Sequence, residues 1–316
     1  MASSFAIPAR PFAAPPAYKG AVIELIQMHT YCRPAGSKSE AAFNKRYLDC
    51  IPGMTIDQKG NRILRIGGDE VRVLWSSHTD TVHRKSGSQR VVYGGGMLSL
   101  AAGSESSCLG ADCTVGVWLM IQMIRKKVPG LYIFHAGEEV GGIGSNYIAT
   151  ETPDLLKGIE YAIAFDRRGT SSVITHQGNR CCSDTFATAL ADQLGRPFAL
   201  DTTGTFTDTA NYTDVVPECT NLSVGYYGAH TSSEVLDVSF AVHLLKRLLR
   251  LDVASLPVMR DPSVDTLRWG RRGNTLYDLV FDHPDIAARM LSEFGVTEQD
   301  FEDCVWDYSK GGVTIV

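Results

Sequence analysis

An α/β sandwich, with a mixed but largely parallel central sheet between two layers of helices, is the fold this sequence predicts. Three observations carry that reading. Apolar runs of strand length alternate with apolar or amphipathic segments of helix length, the pattern of a parallel sheet with helical crossovers. Several of the apolar runs stop abruptly at His, Asp or Glu, where the carboxyl ends of neighbouring strands open on one cleft. Hydrophobic residues make up 44% and charged residues 21% of 316 residues, which suits one large α/β domain with an appendage and excludes a disordered chain.

Taken in order, residues 18–31 place Val22, Leu25 and Ile26 on one face of a helix that ends before Pro34. Ser37-Lys38-Ser39-Glu40 is a capping-box pattern that opens a second helix through Tyr47 and Leu48. Residues 55–66 read as a hairpin that turns at Lys59-Gly60-Asn61. The strand 71–75 runs into Ser76-Ser77-His78-Thr79-Asp80-Thr81. Residues 84–107, rich in Ser and containing Gly94-Gly95-Gly96, read as a loop bordering a substrate cleft. Leu109-Gly110-Ala111-Asp112-Cys113 then leads into an apolar helix reaching Lys127.

The run Tyr132-Ile133-Phe134-His135 is a buried strand that stops in Gly137-Glu138-Glu139. Two adjacent carboxylates at the mouth of an apolar strand repel each other unless a cation holds them, and a metal ion is the natural candidate. The glycine-rich turn 140–145 lets backbone approach that site closely. Another strand, 161–165, ends in Asp166-Arg167-Arg168-Gly169. Residues 172–177, with His176, read as a strand, and Asp184–Leu194 as an amphipathic helix. Thr205-Phe206-Thr207-Asp208 is a hydroxyl-rich polar turn, and the strand 220–226 leads to Tyr227-Gly228-Ala229-His230. In 238–251, Ala241, Leu244, Leu245 and Leu248 recur at helical spacing.

After Ser255-Leu256-Pro257 the character changes: residues 261–316 are charge-rich and show no strand ending in an acid. The organisation expected is an N-terminal lead-in (1–16), a main domain (17–255) and a small helical appendage (256–316), with short helices near 277–281, 286–294 and 301–306.

A net charge of −5 gives no electrostatic reason to expect nucleic acid or an anionic membrane as partner. No apolar run approaches the roughly 18 residues of a spanning helix. Residues 1–16 are rich in Ala and Pro and lack the basic and apolar regions of a secretion signal. The eight cysteines form no CxxC pair, so reduced, mostly buried thiols and a cytoplasmic location are expected.

The strand ends together carry His78, Asp80, Glu138, Glu139, Asp166 and His230, with Asp112 at a nearby helix start. An Asp two residues after a His can hold the imidazole by its second nitrogen, an arrangement common around metals. Taken singly, Asp112 is equally well explained as a helix cap, and His230 as a structural histidine. Taken together, two His and several carboxylates form an N/O donor set suited to Zn, Mn or Co, and the carboxylates exceed what one tetrahedral ion needs. Two ions sharing a bridging carboxylate would use them.

His78-Thr79-Asp80, Leu109-Gly110-Ala111-Asp112, Gly137-Glu138-Glu139, Asp166 and His230 resemble, in order, the motif series of the co-catalytic zinc exopeptidases. That clan includes leucyl aminopeptidases, glutamyl aminopeptidases and the aminoacylase/glutamate carboxypeptidase group. The resemblance spans residues 78–251 and implies a zinc-peptidase-like catalytic domain holding two divalent ions, Zn2+ first, with Mn2+ or Co2+ as alternatives. It implies that His78 and Asp166 bind one ion, Glu139 and His230 the other, that Asp112 bridges them, that Asp80 orients His78, and that Glu138 is the general base. Between Asp166 and His230 the expected elements leave no room for the roughly 50 residues a lid domain needs, so a lidless form similar to the leucyl aminopeptidases is favoured. Candidate substrate contacts are Arg167 and Arg168, for a substrate carboxylate, with Tyr226, Tyr227 and Asp208; Tyr226, Tyr227 and His176 are the candidates for the oxyanion-stabilising role that a Tyr plays in the leucyl aminopeptidases.

The resulting expectation is a di-metal hydrolase of small peptides or amino-acid derivatives, foremost an aminopeptidase, able to form a homo-oligomer. The alternatives are an N-acyl-amino-acid deacylase or carboxypeptidase, a mononuclear glutaminyl cyclase, and a non-catalytic peptide-binding module that keeps a structural metal.

Overall fold

The computed structural model describes residues 16–263 together with 291, 292 and 297. Its central sheet has eight strands: β1 (Thr55–Ile56), β2 (Arg62–Ile66), β3 (Val73–His78), β4 (Gly130–His135), β5 (Tyr161–Arg167), β6 (Ser172–Ile174), β7 (Ala199–Asp201) and β8 (Glu218–Ser223). Their spatial order is β7-β6-β8-β5-β3-β4-β2-β1. The inner strands β8, β5, β3 and β4 run parallel, as do β6 and β7, while β6–β8, β4–β2 and β2–β1 are antiparallel joins. The sheet is therefore mixed and largely parallel, as the alternation of strands and helices predicts.

Side-chain alternation along the inner strands builds the layers. Trp75, Tyr132, Phe134, Ile163 and Phe165 face a large core. That core is covered by α1 (Lys19–Met28), α2 (Lys38–Tyr47), α3 (Ala111–Arg125), α5 (Asp184–Leu194) and α6 (Val238–Leu248). Leu74, Leu131, Ile133 and Ala162 face the other way into a smaller core with Ile148 of α4 (Ile143–Glu151), Leu156 and Tyr212. Strands buried on both faces read as continuous apolar runs, which is why they stand out in the sequence.

Local chemistry sets the helix starts. The side chains of Ser37, Ser183 and Asp237 accept hydrogen bonds from the amides of Glu40, Phe186 and Phe240, capping α2, α5 and α6. The close seating of α3 on β5 depends on Gly116. A Cβ there would run into the carbonyl oxygen of Phe165 and the sulfur of Cys113. This contact brings the start of α3 beside the end of β5.

The structure departs from the sequence reading in places. The stretch 84–107 is not a plain loop. Val91–Gly94 and Met97–Leu100 pair antiparallel through Gly95 and Gly96, both at positive φ, as a two-residue hairpin turn requires. This hairpin joins Val235–Asp237 and Tyr226–Tyr227 in a separate four-stranded sheet. The short edge strand β7 was not expected. The strand read over 172–177 ends at Ile174, and His176–Gln177 pairs instead with Asn179–Arg180.

Residues 256–260 run along the main body. Tyr161 donates its hydroxyl to the Leu256 carbonyl at 2.5 Å, and buried Glu218 accepts the amides of Met259 and Arg260 at 2.8 and 3.1 Å. The three helices expected at 277–281, 286–294 and 301–306 lie almost wholly outside the described residues, as does most of the lead-in 1–16.

Candidate metal centre

The sheet's topology delivers the acids and imidazoles to one place. His78 is the last residue of β3, Asp166 lies at the end of β5, Glu138 and Glu139 follow β4, and His230 lies in the turn after Tyr226–Tyr227. Asp112 sits in the first turn of α3 with non-helical angles (φ −80°, ψ 107°). It does not cap the helix. Buried Glu234 does so from across the fold, accepting the amides of Gly110, Ala111 and Asp112 at 2.9, 3.0 and 3.4 Å. The Asp112 side chain is thereby free to point into the cluster.

Each oxygen of Asp112 faces a different histidine. Oδ1 lies 3.0 Å from His78 Nε2 and Oδ2 lies 3.1 Å from His230 Nε2. Asp166 Oδ1 stands 3.7 Å from His78 Nε2, and Glu139 Oε1 stands 3.6 Å from His230 Nε2. Two sets of donors thus share Asp112: one adds His78 and Asp166, the other Glu139 and His230. Cys113 also lies within reach of the first set, but its thiol donates to the Phe165 carbonyl at 3.1 Å.

Second contacts hold these side chains. His78 Nδ1 donates to the carbonyl oxygen of Asp80 at 3.1 Å, which leaves Nε2 as the acceptor nitrogen that faces Asp112 and Asp166. The Asp80 carboxylate stands 3.5 Å from the same Nδ1 and accepts the amides of Glu138 and Glu139 at 3.2 and 3.1 Å. Asp80 therefore braces both the imidazole and the Glu-Glu turn. Asp166 Oδ2 accepts the Thr207 hydroxyl at 2.6 Å, and the Asp166 carbonyl accepts the Tyr226 hydroxyl at 2.6 Å.

The electrostatics are those of a site built for cations. Burial, reinforced by neighbouring carboxylates, pushes Glu138 up to about 10, Glu139 to about 8 and Asp166 to about 6. Burial works the same way on Asp112, but hydrogen bonds from His230 and His78 outweigh it and hold its carboxyl well below the usual range. His230 is raised to about 9, first by Asp112. Without a cation these carboxylates do not all ionise together near neutral pH. Glu139 Oε1 is buried with no hydrogen-bond partner, an acceptor that a metal ion would satisfy. The donor set and its orphaned oxygen fit divalent ions.

A cavity of about 520 Å3 opens onto the cluster, walled in part by Arg167, Arg168, Ile174, Phe206, Tyr226 and Ala229. Arg167 is already engaged, by the carbonyl and hydroxyl of Thr203 and by Asp201 at 3.7 Å. Arg168 is exposed on the same wall. Tyr226 is buried, its hydroxyl spent on the Asp166 backbone. Tyr227 does not line the cavity, and its hydroxyl faces Thr170 at 3.4 Å. His176 is also away from the wall, its ring bonded to Thr175. Asp208 lies beneath the site rather than in it: it is 1% exposed and stands 3.3 Å from His135 Nδ1. A larger apolar cavity of about 1180 Å3 borders the opposite end of α3, near Ile121, Ile124 and Arg125, and among the described residues no comparable ligand cluster lies there.

Thr207 and Glu234 were not singled out by sequence reasoning. The hydroxyl-rich turn before Asp208 was the available signal for Thr207. Glu234 had none, because it acts on amides more than 100 residues away.

No protein-family model matches the sequence, and no curated protein matches it at a significant level. Solved structures do. The chain is similar to aminopeptidase PepT from Bacillus cereus ATCC 10987, with 15% identity over 72% of this chain and 96% of that one and a TM-score of 0.58. It is similar to a tripeptidase from Staphylococcus aureus subsp. aureus Mu50, with 13% identity over 72% and 96% and a TM-score of 0.59. It is also similar to the Pyrococcus horikoshii TET1 peptidase, with 16% identity over 74% and 100% and a TM-score of 0.52. The likeness is one of fold. The chain has the α/β fold of these peptidases in lidless form: only β6, α5, β7, a 3-10 turn (Asp208–Tyr212), β8 and short strand pairs separate Asp166 from His230.

Proposed function

We propose that the protein is a di-metal hydrolase that removes the amino-terminal residue of small peptides. The observation that carries this reading is the position of Asp112, one oxygen toward His78 and the other toward His230, with Asp166 and Glu139 on either side. His78, Asp166 and Asp112 would hold one ion, and Asp112, Glu139 and His230 the other. Zn2+ suits the mixed N/O donors best. Bound there, such ions lower the pKa of water and polarise a carbonyl.

The chain's own residues supply the rest. Glu138 stands beside the ligands, and no described residue hydrogen-bonds its carboxylate. It can take a proton from the attacking water and deliver it to the leaving nitrogen as the amide C–N bond breaks. Asp80, through the amides of Glu138 and Glu139, fixes the direction in which both acids point. The free amine of a substrate, a cation, is drawn to the acidic floor of the cavity, with its side chain against Phe206, Ile174 and Ala229.

One observation favours a second reading. Exposed Arg168 on the cavity wall offers a guanidinium to a carboxylate, as an N-acyl-amino-acid deacylase or carboxypeptidase requires. Aminoacyl-anilides and N-acyl amino acids, tested side by side with zinc-loaded protein, separate the two. Turnover of the acyl compounds alone overturns the aminopeptidase reading. If Glu138→Gln leaves all hydrolysis intact with metal still bound, the general-base assignment fails, and a metal-bound protein with no turnover of any amide is a binding module.

The buried thiols of Cys32, Cys108, Cys113, Cys181, Cys182 and Cys219 support a reducing, cytoplasmic setting. Among the described residues no helix is long and apolar enough to cross a membrane. The Pyrococcus horikoshii TET1 peptidase assembles into a tetrahedron or a large octahedral shell, and a homo-oligomer is the corresponding proposal for this chain.

A further inference from the structure

Two cavities meet at His230. One is the acidic metal cavity; the other is a groove of about 920 Å3 between residues 83–90 and 103–107. The groove's charged walls are Arg84, Lys85 and Arg90 against a single carboxylate, Glu105, and most of its other lining is serine and glycine. Arg84, Lys85 and Arg90 are exposed, and among the described residues none of them is ion-paired.

These cations stand on braced backbone. Gly87–Ser88 pairs antiparallel with Tyr31–Cys32. Gln89, buried beneath them, donates to the carbonyls of His29 and Leu109 at 2.7 and 2.8 Å and faces His83 Nε2 at 3.1 Å. The Arg84 amide donates to Ser107 at 3.1 Å, and the Arg90 carbonyl accepts the Ala101 amide at 2.9 Å. A positive groove held in this way is preorganised for an anion.

From this we infer that the groove is the leaving-group subsite and that it selects peptides whose second residue is acidic. The inference rests on the aminopeptidase reading, which places the free amine among Glu138, Glu139 and Asp166. Three cations repel that amine from the groove and attract the opposite end of the substrate. In a dipeptide the part beyond the scissile bond carries the α-carboxylate. A glutamate or aspartate there adds a second negative charge for the same three side chains. On hydrolysis the carbonyl carbon gains the water oxygen, the nitrogen gains a proton, and a dicarboxylate amino acid is left in the groove.

Calorimetric titration of zinc-loaded Glu138→Gln with alanyl-glutamate and alanyl-lysine tests this without turnover. The glutamate peptide is expected to bind about tenfold more tightly, a gap that closes to about twofold in 1 M salt or when Arg84, Lys85 and Arg90 are all changed to Gln. Equal affinity for the two peptides, or a preference that survives both treatments, overturns the subsite. Turnover of alanyl-anilide by the wild-type protein reports separately on the aminopeptidase reading. Anilide turnover without peptide discrimination sinks the groove alone. Discrimination without any turnover sinks the activity and leaves the anion site standing.

Discussion

His78 Nε2 and Asp112 Oδ1 stand 3.0 Å apart, although 34 residues separate them in the chain. The contact joins the end of β3 to the start of α3, and the other Asp112 oxygen repeats it with His230. An amide in place of this carboxylate keeps the shape but loses the negative charge shared by both sets of donors. Asp112→Asn is therefore expected to weaken metal binding by more than the roughly 10–100-fold typical of outer-sphere partners. Metal content after gel filtration, read by elemental mass spectrometry, checks this. Two ions retained at wild-type affinity would show that Asp112 is not the shared ligand.

Glu138 and Glu139 are neighbours with different surroundings. Glu139 faces His230 and has an orphaned buried oxygen, whereas Glu138 has no described hydrogen-bond partner for its carboxylate. Glu138→Gln is expected to keep both ions and lower kcat by about 10²–10⁴-fold, the range for losing a general base. Glu139→Gln is expected to lose metal first and activity as a consequence, so added zinc should restore part of its rate but none of the rate of Glu138→Gln. Zinc titration of the two variants under identical assay conditions is the measurement.

These two residues also show why much of the candidate site was legible in the sequence. An apolar strand buried on both faces leaves an unbroken run of letters, and a pair of acids at its end has no structural reason to be there. His78 and Asp166 stand out for the same reason, each closing such a run. Glu234 and Thr207 do not, because their partners are set by the folded path of the chain and no local pattern encodes them. The hairpin around Gly95 and Gly96 was hidden by its serine-rich surroundings, although Val91, Tyr93, Leu98 and Leu100 carry the alternation of paired strands. Asp208, a candidate substrate contact in a polar turn, instead lies beneath the sheet with its acid buried against His135.

Asp80 braces the Glu-Glu turn through both of its carboxylate oxygens, one to each amide. Asparagine can accept only one of those hydrogen bonds and turns an NH2 group toward the other amide. A buried amide left without a partner costs about 1–3 kcal/mol, and the acid that it positions loses its fixed direction. Asp80→Asn is expected to lower kcat about 10–100-fold with a smaller change in KM. A rise in KM at unchanged kcat would mean that Asp80 serves binding and not the placement of Glu138.

His29 offers a test of the fold away from the candidate metal centre. Its Nδ1 bonds the Leu25 carbonyl at 2.7 Å, and its Nε2 is buried with no partner. Burial drives the imidazole down to about 3, against about 6.5 in an unfolded chain. The folded value lies below the unfolded one, so on acidification the unfolded chain takes up this proton first. Stability from neutral His29 is thus complete above about pH 6.5 and is lost as the pH falls toward 3, at a limiting slope of about 1.4 kcal/mol per pH unit. His83, lowered to about 4, and His135, to about 3, add to the same trend. Comparing wild type with His29→Gln cancels the titrating groups that do not interact with His29, which leaves only the smaller effect on neighbouring His83. The variant is expected to start less stable and to lose stability less steeply between pH 6 and 4, by roughly one proton's worth of slope. Urea unfolding at several pH values gives the two slopes, and parallel lines would show that His29 titrates alike in the folded and unfolded chain.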